Sequence, residues 1–296
     1  MWAPWRHRER RLVFLYSESA ARFGSTLMRG WQLADIAREQ GVRSRVSVAA
    51  VGARVSDADV FMTKGAAAHA TPEQYEALKA RGNRLLVDPL DGEVTDRMLQ
   101  HADVIVAASR TAELAYLDEH PEHRVVRIDH HVDPRVQAQG PGPEDAPLRI
   151  GYFGSLLNIF STPAIEERID VHSVETGTDQ SIPWWERPRQ YPVHYAVRSW
   201  RPIDVHKPFL KGFTAAVAGA VILIGRHAEP EHWLGDDYPF FVSAEPTEAE
   251  VLAALDRLQE AHGGPEWRDA RDRMEAVRAR VTDAVIARQL AAALDG

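Results

Sequence analysis

The chain of 296 residues contains no cysteine. Neither a disulfide framework nor a thiolate metal site is open to it, and a reducing, cytoplasmic setting is the expectation. No apolar run approaches the roughly 18–20 residues that a membrane span requires. The longest, Phe213–Gly225, is broken by Thr214 and Gly219 and reads as a helix end feeding a buried strand, so no stable membrane insertion is expected. The N-terminus, Met1–Arg11, is basic and carries Trp2 and Trp5, but it lacks the apolar centre of a secretion signal and reads as a frayed terminus. Positive charge is short as well: 35 Lys and Arg stand against 43 Asp and Glu, for a net charge of −8. A general nucleic-acid binder needs a basic excess, so nucleic acid is not an expected partner. Phosphate, if bound, must be held locally by a few placed cations and backbone amides.

What is present is ordinary globular material, 45% hydrophobic and 26% charged, enough for two buried cores. The first half alternates strand and helix. Short apolar runs at residues 11–16, 44–51, 59–62, 84–88, 103–108 and 124–128 have the form of strands buried on both faces. Between them, helical spacing covers residues 25–40, 95–101 and 111–119, and Thr71-Pro72-Glu73 opens a further helix with a capping hydroxyl and a proline in the first turn. The Gly-, Pro- and acid-rich stretch 137–147 reads as a linker. After it the pattern restarts, with strands at 148–153, 170–174, 193–197, 220–224 and 239–242 and helices at 163–168, 209–218 and 247–262, the last with Thr247 and Glu250 as a capping box. Residues 265–294 read as one long C-terminal helix whose stripe runs Trp267, Ala270, Met274, Val277, Val281, Val285.

Alternation of this kind specifies an α/β fold with parallel sheets, whose strand-to-helix loops gather on one edge where ligands bind. The division expected is residues 1–140 and 141–296.

Three stretches carry a family resemblance. Asp103–Arg110 (DVIVAASR), Arg124–Val136 (RVVRIDHHVDPRV) and Lys207–Gly225 (KPFLKGFTAAVAGAVILIG) stand, in order, where glycosyltransferases of the GT-B fold, most closely the family 4 type, carry "aDxVivxS", "vxvIpNGVD" and the donor-site helix and strand. Gly235–Val242 is similar to the strand that follows. The resemblance implies two Rossmann-like domains facing across a cleft: an N-terminal acceptor-side domain and a C-terminal nucleotide-sugar domain closed by a helix. It implies transfer of a sugar, of the hexosyl type, from a donor such as a UDP-sugar to a small-molecule or glycan acceptor bearing a hydroxyl, with no cofactor and no metal required. The family's Glu-x7-Glu carboxylates fall on His206 and Thr214 and are absent. A GT-B epimerase and a non-catalytic binding protein of the same shape are the alternatives.

The candidate donor site is Lys207, Lys211, Gly212, Phe213 and Thr214 at a helix start. There, free backbone N–H groups, the helix dipole and two lysines would hold a diphosphate. Arg198, after the strand at 193–197, either reaches a phosphate bidentately and serves catalysis or lies on the surface. Gly151, Gly154, Ser155 and Asn158 form a loop of small residues suited to close ligand approach. In the first half Ser17, Glu18, Arg22, Gly24 and Ser25 occupy the first strand-to-helix loop, which by the resemblance borders acceptor and donor sugar. Glu18 is its one carboxylate, either a base or a helix cap. Inverting relatives often place a histidine in this loop and none is in it, which tilts the reading toward a retaining reaction. Asp88 and Asp91 either bond acceptor hydroxyls or shape a turn. His130 and His131 read as substrate-binding residues near the cleft or as hinge structure, rather than as metal ligands. The aromatic stretch Trp184, Trp185, Tyr191, Trp200 reads as a local core under a loop before a base or sugar pocket.

Overall fold

The structure, a computed structural model, describes residues 10–138, 148–174, 183–199, 201 and 204–295. The expectations for Trp2, Trp5 and Trp200, and most of the stretch read as a linker, lie outside the described residues. The chain forms two compact units. One comprises Met1–Ala108, Ala112–Asp129 and Asp283–Gly296; the other comprises Ser109–Thr111 and His130–Thr282. The division therefore falls at residues 129 and 130 rather than 140 and 141, and the last helix belongs with the first unit.

In the first unit β1 (Arg11–Tyr16) leads into α1 (Gly24–Thr26), a π-helical stretch Leu27–Gln32 and α2 (Leu33–Glu39). Then come β2 (Val46–Ala50), β3 (Ala58–Met62), α3 (Lys64–His69), α4 (Pro72–Ala80), β4 (Arg84–Leu90), α5 (Asp96–His101), β5 (Val104–Ala107), α6 (Arg110–Glu119) and β6 (Val125–Arg127). The strands make one parallel sheet in the order β2-β1-β3-β4-β5-β6. Alternate residues feed its two faces. Leu12, Phe14, Phe61 and Leu86 pack with Leu33 and Ile36 of α2, while Val13, Leu15, Val60 and Met62 pack with Ala66, Ala67 and Tyr75 of α3 and α4. Because helices cover both faces, β3 and β5 are buried along their whole length, the physical reason these strands show as unbroken apolar runs.

The second unit holds β7 (Ile150–Gly154), α7 (Pro163–Glu166), β8 (Asp170–Ser173), β9 (Val193–Tyr195), α8 (Leu210–Val217), β10 (Val221–Gly225), α9 (Ala228–Leu234), β11 (Phe241–Val242), α10 (Glu248–Ala261) and α11 (Pro265–Arg280). Its sheet is parallel in the order β11-β10-β9-β7-β8. The capping at Thr247 is half a box: Thr247 accepts from the Glu250 N–H, but the Glu250 carboxylate accepts instead from the N–H and hydroxyl of Ser243.

The single helix expected over residues 265–294 is two helices. The backbone leaves helical geometry at Val281 (φ −118°, ψ 23°), and α12 (Asp283–Leu294) starts afresh. The reason is visible in the stripe. Trp267, Ala270, Met274, Val277 and Val281 enter the core of the second unit, whereas Ile286, Ala287, Leu290, Ala293 and Leu294 enter that of the first, and one straight stripe cannot serve both. In the first unit the carbonyls of the last turn of α12 are held by Arg43 and Arg84 to Leu294, Arg84 to Ala293, and Arg124 to Ala292. Among the described residues no helix is long and apolar enough to cross a membrane.

Candidate functional site

In the second unit the C-terminal ends of β7, β9 and β10 bring polar residues to one sheet edge, the place where ligands bind in parallel α/β sheets. Past β9 the chain supplies Arg198 and Arg201, then the buried Asp204, then Lys207 and the first turn of α8. Three cations converge on one carboxylate: Arg198 at 3.6 Å, Arg201 at 3.1 Å and Lys207 at 3.2 Å from Asp204. Burial works to raise the Asp204 carboxyl, but the hydrogen bond from Arg201 and the charges of Arg198 and Lys207 carry it below the ordinary aspartate range. Arg201 also donates to Asn158 Oδ1 at 3.0 Å, tying the loop after β7 to this turn. In that loop the Ser155 carbonyl accepts from Tyr152 at 2.5 Å.

Lys211 is different from the other cations. Its Nζ is buried, has no hydrogen-bond partner and sits 3.7 Å from the ring centroid of Tyr152. A Cβ on Gly154 would come within 3.2 Å of it, so a side chain there would crowd the amine. Burial first, and then the Arg198 guanidinium, hold the Lys211 ammonium far below the ordinary lysine range. His227, following β10, is also pushed down by burial and by Arg198. The edge thus gathers Arg198, Arg201 and Lys207 on Asp204, with Lys211 beside Arg198.

The rest of the expected donor segment serves packing. Gly212 does not open space for a ligand: a Cβ there would lie 2.0 Å from the Phe209 ring, which fills the gap. Phe213 is in the core against Phe209 and Trp233. Thr214 donates to its own helix at the Leu210 carbonyl, 3.0 Å away. Gly212→Ala is therefore expected to cost the fold about 1–3 kcal/mol by overpacking, read as a lower urea midpoint, whereas a ligand-facing glycine would leave that midpoint unmoved. Gly151 lies within β7 under the Tyr191 ring, where a Cβ would meet it at 2.7 Å.

The described part of the aromatic stretch forms a local core. Trp184 and Trp185 pack against the second-unit core, and Arg135 stacks on Trp185 at 4.0 Å. Tyr191 bonds His172 at 2.6 Å and Arg149 at 2.8 Å. Beneath it His194 is buried and bonds the Pro188 carbonyl at 3.0 Å. His130 and His131 are buried too, the first bonded through Nδ1 to the second's carbonyl at 2.9 Å. Among the described residues no group of three or more His, Asp or Glu is placed to hold a metal ion.

In the first unit the loop after β1 is short and turned. Glu18 and Arg22 are exposed, and Glu18 caps no helix: α1 begins at Gly24-Ser25 behind Phe23, with no side-chain cap. Ser17 and Ser19 share a hydrogen bond of 2.8 Å. The structure adds a histidine that the loop sequence lacks, since His69 of α3 reaches Ser19 at 3.1 Å. Asp91 pairs with Lys64. Asp88 is no acceptor ligand in this arrangement: fully buried, it accepts from Arg29 at 2.7 Å and from the Leu90 N–H at 3.0 Å, so its lone pairs are committed within the fold.

No protein-family model and no curated protein matches the sequence. Solved structures match along nearly the whole chain. Anabaena HepE in complex with UDP and glucose gives a TM-score of 0.62 at 12% identity, over 96% of this chain and 99% of that one. A glycosyltransferase from Rickettsia africae gives 0.65 at 10% identity, over 96% and 97%. The pneumococcal O-GlcNAc transferase GtfA in complex with UDP and GlcNAc gives 0.52 at 10%, over 80% and 57%. At these identities the likeness establishes the fold: two Rossmann-like units of the GT-B class.

Proposed function

We propose that the protein is a glycosyltransferase that moves a sugar from a nucleotide-sugar donor, with UDP as the nucleotide, to a hydroxyl-bearing acceptor. One observation carries the reading: a buried, unpartnered lysine amine stands with Arg198 and Lys207 at the ligand-binding edge of the second sheet. Fixed cations there match a diphosphate and act on the charge that develops as it leaves. Proteins of the same fold are complexed with UDP and UDP-glucose, which supports the choice of ligand. Donor binding is assigned to Gly154, Ser155, Asn158, Arg198, Lys207 and Lys211, and acceptor binding to the loops after β1 and β4 in the first unit. The cations take the role a metal plays elsewhere.

Replacing Lys207 and Lys211 together by Ala is expected to weaken UDP binding at least tenfold, about 1.4 kcal/mol. Calorimetric affinity equal to the parent's would remove this phosphate site. The stereochemical course has two readings. Retention is the reading drawn from the lack of a histidine in the sequence of the loop after β1. Inversion is the reading that His69 supports, since its imidazole reaches Ser17 and Ser19 in this loop and could serve as a general base. Proton NMR of the first-formed product anomer decides between them.

A further inference from the structure

We infer that binding of a nucleoside diphosphate at this edge is coupled to uptake of one proton from solvent, and that the proton settles on Lys211 Nζ. The inference rests on the donor-site reading above and adds a property to it.

An ammonium has three donors to satisfy. At Lys211 Nζ none is satisfied, and the atom has no contact with water. The groups facing it are the Tyr152 ring from β7, His194 from β9 and Arg198 beyond β9. Among the described residues no carboxylate lies within salt-bridge distance of it; Asp204, the acid at this edge, is engaged by Arg198, Arg201 and Lys207. The other elements on α8, which are α11 and β10, contribute apolar residues such as Ala270, Met274, Val221 and Ile222 to the core there. One aromatic face offsets little of the cost of burying a charge with no acceptor, and a neighbouring guanidinium adds to that cost. Without ligand the charged form of the amine is therefore strongly disfavoured.

A diphosphate brings about two negative charges and several acceptor oxygens. Close to Nζ they reverse every term: the donors find acceptors, and the anion offsets Arg198. The amine gains an N–H bond, the buffer gives up the proton, and no other bond changes. The sign is fixed by linkage. Ligand raises the affinity of this amine for protons, so between its ligand-free and ligand-bound values protons help binding and affinity falls as pH rises, by up to about tenfold per pH unit. Gly154 matters here because a side chain would occupy the approach to Nζ.

The test is calorimetric titration of the full chain with UDP at pH 8 in phosphate and in Tris, buffers that differ in heat of ionisation. At that pH the terminal phosphate is already a dianion, so the nucleotide itself contributes no uptake. The expected result is about one proton taken up per UDP by the parent chain, retained in His227→Gln and lost in both Lys211→Met and Lys211→Arg, the latter carrying a permanent charge. The parent's dissociation constant should rise from pH 7.5 to 8.5, more steeply than in Lys211→Arg. UDP binding without uptake in the parent overturns this inference and leaves the donor site standing, as does uptake unchanged in the folded Lys211 variants. No UDP binding by the parent in either buffer overturns the donor reading itself, and this inference with it.

Discussion

Replacing Asp88 by Ala is expected to destabilise the first unit by about 3–5 kcal/mol, the usual cost of stranding one member of a buried ion pair. Arg29 and Asp88 are 1% and 0% exposed, and their contact is 2.7 Å. Without the carboxylate the guanidinium keeps one bond, to the Asp129 carbonyl, and its charge has no counterpart. The turn suffers as well. Leu90 holds a left-handed backbone (φ 61°) where β4 slips register against β5, and its N–H is anchored by Asp88. The variant should show a lower urea midpoint, and the apolar pair Arg29→Met with Asp88→Leu should recover most of the loss. An unchanged midpoint with a raised acceptor KM would instead restore Asp88 as an acceptor ligand.

The second large effect is acid loss of stability through His194. Burial carries this imidazole from 6.5 down to about 4, against a smaller opposing pull from its bond to Pro188. The folded chain thus binds its proton more weakly than the unfolded chain does. Between pH 6.5 and 4 the unfolded state holds more protons, so the contribution is full above 6.5 and drains away as pH falls toward 4. At about 1.4 kcal/mol per unit the span is about 3 kcal/mol. Urea midpoints from pH 7 to pH 4 should fall for the parent and fall less for His194→Gln, which keeps an amide donor for the Pro188 carbonyl. Parallel curves would show that His194 does not set the acid limit.

These two residues show where one-dimensional reading stops. Parallel strands were legible because both faces are covered: the Arg11–Tyr16 and Val221–Gly225 runs needed no partner to be recognised. Helix α3 was not, since KGAAAH has no large apolar residue and follows β3 after Thr63 alone. Helix α9 was hidden by Pro230 and by Glu229, a buried acid that accepts from Trp233. At the site, Lys207, Lys211 and Arg198 were placed from charge, helix start and strand end, all local properties. Gly212 was misread because small size does not say which neighbour claims it; Phe209 does. Asp88 shapes a turn, one of its two readings, but its pairing with Arg29 is not legible from negative charge alone. Asp204 was missed although its spacing of three from both Arg201 and Lys207 was the available signal. His69 lies 50 residues on, beyond β2 and β3, and only the fold sets it against Ser19.

The return of α12 to the first unit bears on synthesis. Chains generally fold domain by domain as they leave the ribosome, N-terminal part first. Here Ile286, Leu290 and Leu294 complete the core around Phe14 and Leu33, and Arg43, Arg84 and Arg124 wait for carbonyls at residues 292–294. The unit begun first is thus the one finished last. Through most of translation the face of its sheet that α2 covers only in part stays open, and a nascent chain stalled before residue 283 would present that apolar surface to chaperones while the second unit has all of its own strands.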